Sequence, residues 1–523
     1  MDLLNLDLSA PEWRYVWPQL IVFILAVVLV FVDAFIPKHR SFQVLTGISL
    51  VGYLLAIAAL YKQHDRVGAT FQGSFRSDGL TVFLSLIILV AAVFSVLVSA
   101  NYIKNVGDRV PIGEYYILLA FSVLGALLVS SSGDLITIFV GLELSSLATY
   151  VLTGYTKRNA PSVEGALKYF LLGIFASAIL LYGMAWAYGL SGSTGLDNIR
   201  AGVGAAVEGK EWFETSVLLS LLLLIVGLGF KIAAVPFHMW TPDAYEGAPT
   251  PVTAYMSVIP KAAGFAAMIR ILVQALGPLS DDWRWLIGVL AVLTMALGNI
   301  VALSQRNLKR MLAYSSIAHT GYMMVGLAAY REGTGFGNDL SQIIGLRGVS
   351  STLYYLLAYV FMNIGAFAVI TWLQQRGRGD TLDDIAGLAS TDPLPAAAMA
   401  IFMVSLMGIP PLIGFYAKYY VILAAMEADM LWLAIAVVIA SGISAYFYLR
   451  VVAVMYFSSS EQEDIRPART QLLNAGLILL VAGNLVLGLF SDGIVNLSDD
   501  WTSALTNAQT SAETQNAAQV AEP

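Results

Sequence analysis

The sequence predicts an all-α fold, a polytopic membrane bundle of about 14 transmembrane helices, and three observations carry that prediction. Of 523 residues, 58% are hydrophobic and only 12% are charged, whereas soluble domains carry about 25% charged residues. Apolar runs recur from Trp17 to Phe490, each near the roughly 20 residues that a helix needs to cross the hydrocarbon core. Such runs are too long for barrel strands, and hydrocarbon offers backbone groups no outside partner, so each run must satisfy its own hydrogen bonds as a helix.

Taken in order, spans are predicted at 17–36, 44–61 and 80–100, which form an N-terminal block over residues 1–112. The next three lie at 113–131, 135–155 and 164–189, followed by a long polar loop, and then 215–240 and 251–276. The remainder fall at 283–303, 311–330, 349–373, 396–425, 431–456 and 470–490, and residues 497–523 form a polar tail expected to be disordered. The N-terminal segment places Asp2, Asp7 and Glu12 ahead of the first basic residue, Arg14, so the first helix is expected to be a retained span, not a signal peptide.

Lys and Arg in alternate short loops set the orientation. One set holds thirteen, among them Lys38, Arg40, Lys157, Arg158, Arg306, Lys309, Arg310, Arg376 and Arg378; the other holds nine, among them Lys62, Arg66, Arg76, Arg200, Arg284, Arg331 and Arg347. The richer set belongs on the cytoplasmic side, which with an even number of spans puts both termini outside the cytoplasm.

Two spans contain helix breakers. Pro236 follows Lys231 in the seventh, and Pro410 and Pro411 precede Lys418 in the twelfth. Proline removes a backbone donor and clashes with the preceding turn, so both spans are expected to be broken helices near mid-membrane. Spans five apart run in opposite directions, and inverted repeats of this kind build many transport folds. The expected organisation is therefore two inverted five-helix repeats, residues 113–276 and 277–456, followed by a last helix within 457–496 and the tail.

A charge at a helix centre costs about 2.5 to 3.5 kcal/mol on insertion scales, so each needs a reason. Four stand out: Glu143 in the fifth span, Lys231 in the seventh, Lys261 in the eighth and Lys418 in the twelfth. Burial disfavours an ammonium and a neighbouring carboxylate favours it, so a lysine whose neighbour moves can take up and release a proton. Static buried ion pairs would explain one lysine, since one Glu neutralises one of three; the surplus beside helix breaks points to proton handling. Lys168, one turn inside the sixth span with Glu164 at i−4, reads as a structural pair. His238 beside the seventh-span break and His319 in the tenth span are candidate relay groups, with a satisfied polar role as the alternative. Asp33, Glu114, Asp134, Asp243 and Glu246 fall at span ends and read as interfacial.

The composition excludes several classes. There is no cysteine, hence no disulfide, no cysteine-ligated iron-sulfur cluster and no structural Cys zinc site in this chain. Neither candidate histidine has a second on its helix, which argues against haem. The net charge of −7 resides mostly in loops and tail and implies no nucleic-acid partner. Gly202 and Gly204 lack the third Gly and the preceding strand of a dinucleotide site.

The run VGLGFKIAAVPFHMWTPDAYEGAPTPVTAYMSVIPKAAGFAAM from Val226 to Met268 resembles the antiporter-like membrane subunits of respiratory complex I, NADH-quinone oxidoreductase. GLELSSLATYVLTGYTKR (Gly141–Arg158), KRMLAYSSIAHTGYMMVG (Lys309–Gly326) and GIPPLIGFYAK (Gly408–Lys418) support the resemblance. Within that family the likeness is to the subunit N, or subunit 2, branch: Lys418 in the twelfth span argues against the sister subunit M, and the short tail against subunit L. The resemblance implies fourteen helices with inverted repeats and a proton path through Glu143, Lys231, Lys261 and Lys418. It also implies that NADH, FMN, iron-sulfur clusters and quinone belong to partner subunits, so that this chain binds no cofactor. The implied setting is a bacterial plasma membrane ahead of a thylakoid membrane, with other membrane subunits and the bilayer as partners. The alternative function is a subunit of a multisubunit cation/proton antiporter.

Overall fold

A computed structural model of the chain describes residues 11–64, 66–100, 102–105, 112–207, 211–332, 340–459, 471–493 and 495. The polar tail lies outside these residues. The first helices are α1 (Trp17–Phe35), α2 (Lys38–Gln63), α3 (Gly79–Ser99), the short α4 (Tyr102–Asn105), α5 (Ile112–Ser130), α6 (Leu135–Thr153) and α7 (Ala160–Ser191). Then come α8 (Leu196–Val207), α9 (Glu211–Ile232), α10 (Thr241–Gly247), α11 (Thr250–Met256) and α12 (Ile259–Met268), which runs into a π-helical segment, Ile269–Ala275. The rest are α13 (Ser280–Ala302), α14 (Leu308–Ala328), α15 (Leu340–Gln375), α16 (Leu388–Thr391), α17 (Pro393–Met407), α18 (Ile413–Glu427), α19 (Leu431–Phe457) and α20 (Gln471–Leu489). Between α2 and α3 lies a small antiparallel hairpin, β1 (Gly68–Thr70) and β2 (Phe75–Ser77), with Ala69 opposite Arg76.

Among the described residues twelve helices are long and apolar enough to cross a membrane, or thirteen if a pair bent by 119° at Asp392 is one span. The two remaining expected spans depart from simple apolarity for a physical reason. The tenth is α14, 21 residues long, whose residues are all buried except Arg310 and Tyr314. Facing protein on every side, it carries Ser315, Ser316, His319 and Thr320 where a lipid-facing helix would carry leucine. The twelfth is divided into α17 and α18, and Gly408, with φ 93°, ends α17 in a left-handed conformation that only glycine adopts freely.

The seventh span was expected to run to Trp240, but α9 stops at Ile232, Ala233 takes φ 62°, and a turn leads into α10. The eighth was expected to be one helix over 251–276 and is instead α11, a break at Ser257–Val258, α12 and the π-helical segment. Pro260 accounts for the break: it has no N–H for the Met256 carbonyl one turn earlier and its ring would clash there, so it stands in the first turn of a new helix. The polar loop before the seventh span contains α8.

Short polar residues fix the helix starts. Asp78 accepts from Thr81 N at 2.8 Å, Asp134 from Thr137 N at 2.8 Å and Asn307 from Arg310 N at 3.0 Å, each satisfying an orphan donor of the first turn. Two of these caps share a further arrangement. Beside Asp134, Leu135 N donates to Thr194 O and Leu196 N to Gly133 O; beside Asn307, Leu308 N donates to Asp380 O and Leu382 N to Arg306 O. The helices that follow the two caps pack alike. A Cβ on Gly125 of α5 would lie 2.6 Å from Gly141 O of α6, and one on Gly298 of α13 would lie 2.6 Å from Ala318 N of α14. Both pairs are thus drawn together by glycine, the usual device where lipid provides no hydrophobic drive for helix association. Around this centre α1, α2, α7, α19 and α20 expose Phe31, Leu55, Phe175, Ile439 and Ile478, the side chains that meet acyl chains.

Candidate functional site

Glu143 projects from α6 and Lys231 from the last turn of α9, and the fold brings them into contact: Lys231 Nζ lies 2.8 Å from Glu143 Oε1. Lys231 Nζ also donates to Ser146 Oγ at 3.0 Å and Ser177 Oγ at 3.2 Å, and Ser177 Oγ donates to Glu143 Oε1. The lysine side chain is 5% exposed and the carboxylate 21%, so any exchange with the surroundings is easier from the glutamate side.

Lys261, in the first turn of α12, has no such counter-charge among the described residues. Its Nζ donates to Ser316 O at 2.6 Å, Ser316 Oγ at 2.6 Å and Thr320 Oγ1 at 2.9 Å, all on α14. Three acceptors match the three protons of an ammonium, which is how a buried lysine is solvated without a carboxylate. Thr320 Oγ1 in turn donates to Ile232 O at 2.9 Å, the carbonyl next to Lys231 at the end of α9. The two lysine sites are therefore joined by one threonine and one peptide unit.

Lys418 in α18 donates to Met407 O at 2.8 Å, a carbonyl freed by the end of α17, and its Nζ lies 4.8 Å from the centre of the Tyr322 ring. Neither Lys261 nor Lys418 pairs with a carboxylate among the described residues. His319 sits between these two sites with both ring nitrogens occupied, Nδ1 by Tyr355 Oη at 2.8 Å and Nε2 by Tyr448 Oη at 3.0 Å. Tyr448 Oη also bonds Ser315 Oγ. His238 lies apart from them in the turn after α9, half-buried, with Nδ1 lacking a protein partner.

A band of paired charges closes the end of the bundle read as cytoplasmic. Asp243 of α10 lies 2.7 Å from Lys168 Nζ and 2.9 Å from Arg310 Nη1, and Arg310 also holds Glu246 at 2.7 Å. Burial works to raise Asp243, but the hydrogen bonds and charges of Lys168 and Arg310 outweigh it and hold the carboxyl below its usual range. Lys168 also pairs with Glu164 at 2.7 Å, the helical pair expected from the sequence. Lys309, expected in a loop, is buried at the start of α14 and donates to Glu246 O and Ala248 O at the end of α10, each at 2.6 Å.

The chain matches the family described as NADH:quinone oxidoreductase/Mrp antiporter, transmembrane, over residues 132–444. It is 43% identical to the NADH-quinone oxidoreductase subunit N of Trichlorobacter lovleyi over 484 residues, covering 92% of this chain and 95% of that one. The chain belongs to the NADH-quinone oxidoreductase subunit N family. Its fold is similar to a chain of respiratory complex I from Thermus thermophilus, with TM-score 0.75 and 32% identity over 92% of this chain and 99% of that one. It is also similar, in fold alone, to a chain of the Mrp complex from a Dietzia species, with TM-score 0.80 and 21% identity over 94% and 97%.

The family match spans all four charged residues that the sequence singled out, Glu143, Lys231, Lys261 and Lys418. What the sequence reading missed is mostly hydroxyl groups. Ser146, Ser177, Ser316, Thr320, Tyr355 and Tyr448 supply the contacts of the charged groups, and only the SSIAHT run around His319 signals any of them. Arg270 was also missed, although it lies inside the expected eighth span and the same charge argument applies. It is wholly buried on the π-helical segment, forked onto Asp78 at 2.6 and 2.8 Å, and donates to Thr81 Oγ1, Ser130 O and Gln274 Oε1. Burial works to raise Asp78, but the Arg270 charge and hydrogen bonds outweigh it and the carboxyl is held low.

Proposed function

We propose that this chain translocates protons as a membrane subunit of an NADH-quinone oxidoreductase, with Glu143, Lys231, Lys261 and Lys418 as proton-holding groups and His319 as a relay between the last two. The observation that carries this reading is the contact of Lys231 with Glu143 at 2.8 Å, while Lys261 and Lys418, both buried, meet neutral acceptors only among the described residues. An ammonium in low dielectric is stabilised by a nearby carboxylate and destabilised when that carboxylate withdraws. A change in the spacing of the pair therefore loads or unloads a proton, and Thr320, bonded to both Ile232 O and Lys261, ties the end of α9 mechanically to the Lys261 site.

Redox chemistry belongs to partner subunits in this reading. NADH, FMN, iron-sulfur clusters and quinone are bound there, in keeping with a chain that has no cysteine to ligate a cluster. The membrane is the bacterial plasma membrane, with the Lys168–Asp243–Arg310 band on its cytoplasmic side. Residues 113–276 and 277–456 are read as the two inverted repeats, supported by the matched caps, backbone bridges and glycine contacts of α5–α6 and α13–α14. His238 stands in the turn after α9 and is given no step in this path.

The test is Lys231→Met in the assembled complex, reconstituted in vesicles, with quinone reduction and proton uptake measured together. Pumping per quinone reduced is expected to fall by most of its value while assembly holds. Unchanged pumping in the assembled variant refutes the assignment.

A further inference from the structure

The buried groups described so far leave open how a proton reaches Lys261 from the cytoplasmic side, and α10 bears on it. This helix of 7 residues has its acidic groups at water: the side chains of Asp243 and Glu246 are 28% and 36% exposed. Its one tyrosine points the other way. Tyr245 is wholly buried, and its Oη lies 3.3 Å from Ser316 Oγ, which is the atom 2.6 Å from Lys261 Nζ. The geometry points to Tyr245 and Ser316 as a two-hydroxyl relay that delivers protons from the cytoplasmic side to Lys261, an inference that rests on Lys261 being a proton-holding group.

Two features of the pair suit it to this work. A hydroxyl both donates and accepts, so the chain can be polarised in either sense. With Lys261 charged, Nζ donates to Ser316 Oγ and Ser316 donates to Tyr245 Oη; with Lys261 neutral, Tyr245 donates to Ser316 and Ser316 donates to the amine lone pair. In the uptake step Ser316 Oγ gives its proton to Nζ and takes one from Tyr245 Oη, while Tyr245 Oη takes one from a hydronium arriving from the cytoplasmic side, which is left as water. The two hydroxyls end with the proton counts they began with, Nζ gains the one that the hydronium loses, and no electrons move. The second feature is the 3.3 Å link, longer than the usual 2.7–2.8 Å for hydroxyl pairs, so reversing it costs little.

The charged neighbours of α10 hold it for this purpose and do not carry the proton. Asp243 is bound by Lys168 and Arg310 and kept low, which makes it a poor donor near neutral pH. Lys309 ties down the far end of α10 through Glu246 O and Ala248 O, and Thr253 Oγ1 donates to Tyr245 O at 2.9 Å. The Tyr245 backbone is thus fixed on α11 and α14, and its hydroxyl is left free to turn.

The experiment compares Tyr245→Phe, Ser316→Ala, the double variant and Lys261→Met in assembled complex in vesicles, with pumping and quinone reduction followed across pH 6 to 9. Tyr245→Phe keeps the ring and its contacts with Trp240 and Phe367. The expected result is pumping slowed at least five-fold in both single variants, most strongly at high pH where protons are scarce, with quinone reduction retained and the double variant no worse than either single one. If Tyr245→Phe fails to assemble, Ser316→Ala alone decides by the same readout. Normal pumping in Tyr245→Phe or Ser316→Ala while Lys261→Met is inactive overturns the relay and leaves the Lys261 assignment standing. Loss that is equal at every pH also overturns it, as a structural effect. Normal pumping in Lys261→Met overturns both.

Discussion

Replacing Glu143 by Gln removes the one carboxylate that contacts Lys231 among the described residues, while keeping an oxygen of the same shape at 2.8 Å from Nζ. Removing one partner of a buried ion pair costs about 3–5 kcal/mol. The amide oxygen still accepts a hydrogen bond, which returns about 1 kcal/mol, and Ser146 and Ser177 remain in place. The charged form of Lys231 should therefore lose about 2–4 kcal/mol, roughly 30- to 700-fold in its population at about 1.4 kcal/mol per decade. Packing is unchanged, so the complex should assemble and reduce quinone. The assay is proton uptake into vesicles, per quinone reduced, in Glu143→Gln and Glu143→Asp beside the parent. The expected outcome is pumping lost in Gln and partly recovered in Asp, whose shorter arm keeps the charge at a longer distance. Equal pumping in Gln and the parent would refute direct coupling of the pair.

Three further outcomes are expected. Lys418→Arg keeps a charge that scarcely deprotonates, so it should impair pumping as severely as Lys418→Met if the proton on this group is exchanged; near-normal pumping with Arg would show a fixed charge instead. Arg270→Met strands Asp78, which is 7% exposed, and should destabilise the complex by about 3–5 kcal/mol, visible as a lower melting temperature; an unchanged melting temperature would remove the clamp from the account. Asp243 is held below the usual carboxyl value of about 3.9, so its stabilisation is complete above that value and lost only as pH falls through the lower folded one. Asp243→Asn should accordingly lower the melting temperature equally at pH 6 and pH 8, and a dependence between those two would contradict the pairing.

The four central charges were legible in the sequence because hydrocarbon makes any charge conspicuous, and the breaks after Lys231 and before Lys418 were legible because proline is. Pro260 carried the same signal for the break ahead of Lys261, but an apolar run of full spanning length masked it, and the span was read as one helix. Arg270 was overlooked because it lies near the end of that span, where arginine commonly reaches the interface; only the fold shows that Asp78, 192 positions away, turns it inward. The contacts of the lysines could not be read at all. Serine and threonine occur throughout membrane helices, and which of them meet Nζ depends on how α14 is rotated against α12. Likewise α14 was expected as an ordinary span, and its polar face has meaning only once every neighbour is seen to be protein.

The matched caps also locate where the halves of the molecule differ. Glu143 stands nine residues beyond Asp134 on α6, and Ser316 stands nine beyond Asn307 on α14. In the first half that position supplies a carboxylate to Lys231; in the second it supplies a hydroxyl and a carbonyl to Lys261. A carboxylate pair changes its hold on a proton steeply with distance, because the interaction is between full charges in low dielectric. A hydroxyl cage changes it little with distance but can reverse the sense of its hydrogen bonds. In the proposed path, Lys231 is accordingly the group on which a movement of helices would act, and Lys261 the group that would pass a proton without needing movement. Carboxylates at both positions of that path would hold two strong pairs and resist transfer between them, whereas serine at the second leaves Lys261 without a full charge to bind its proton.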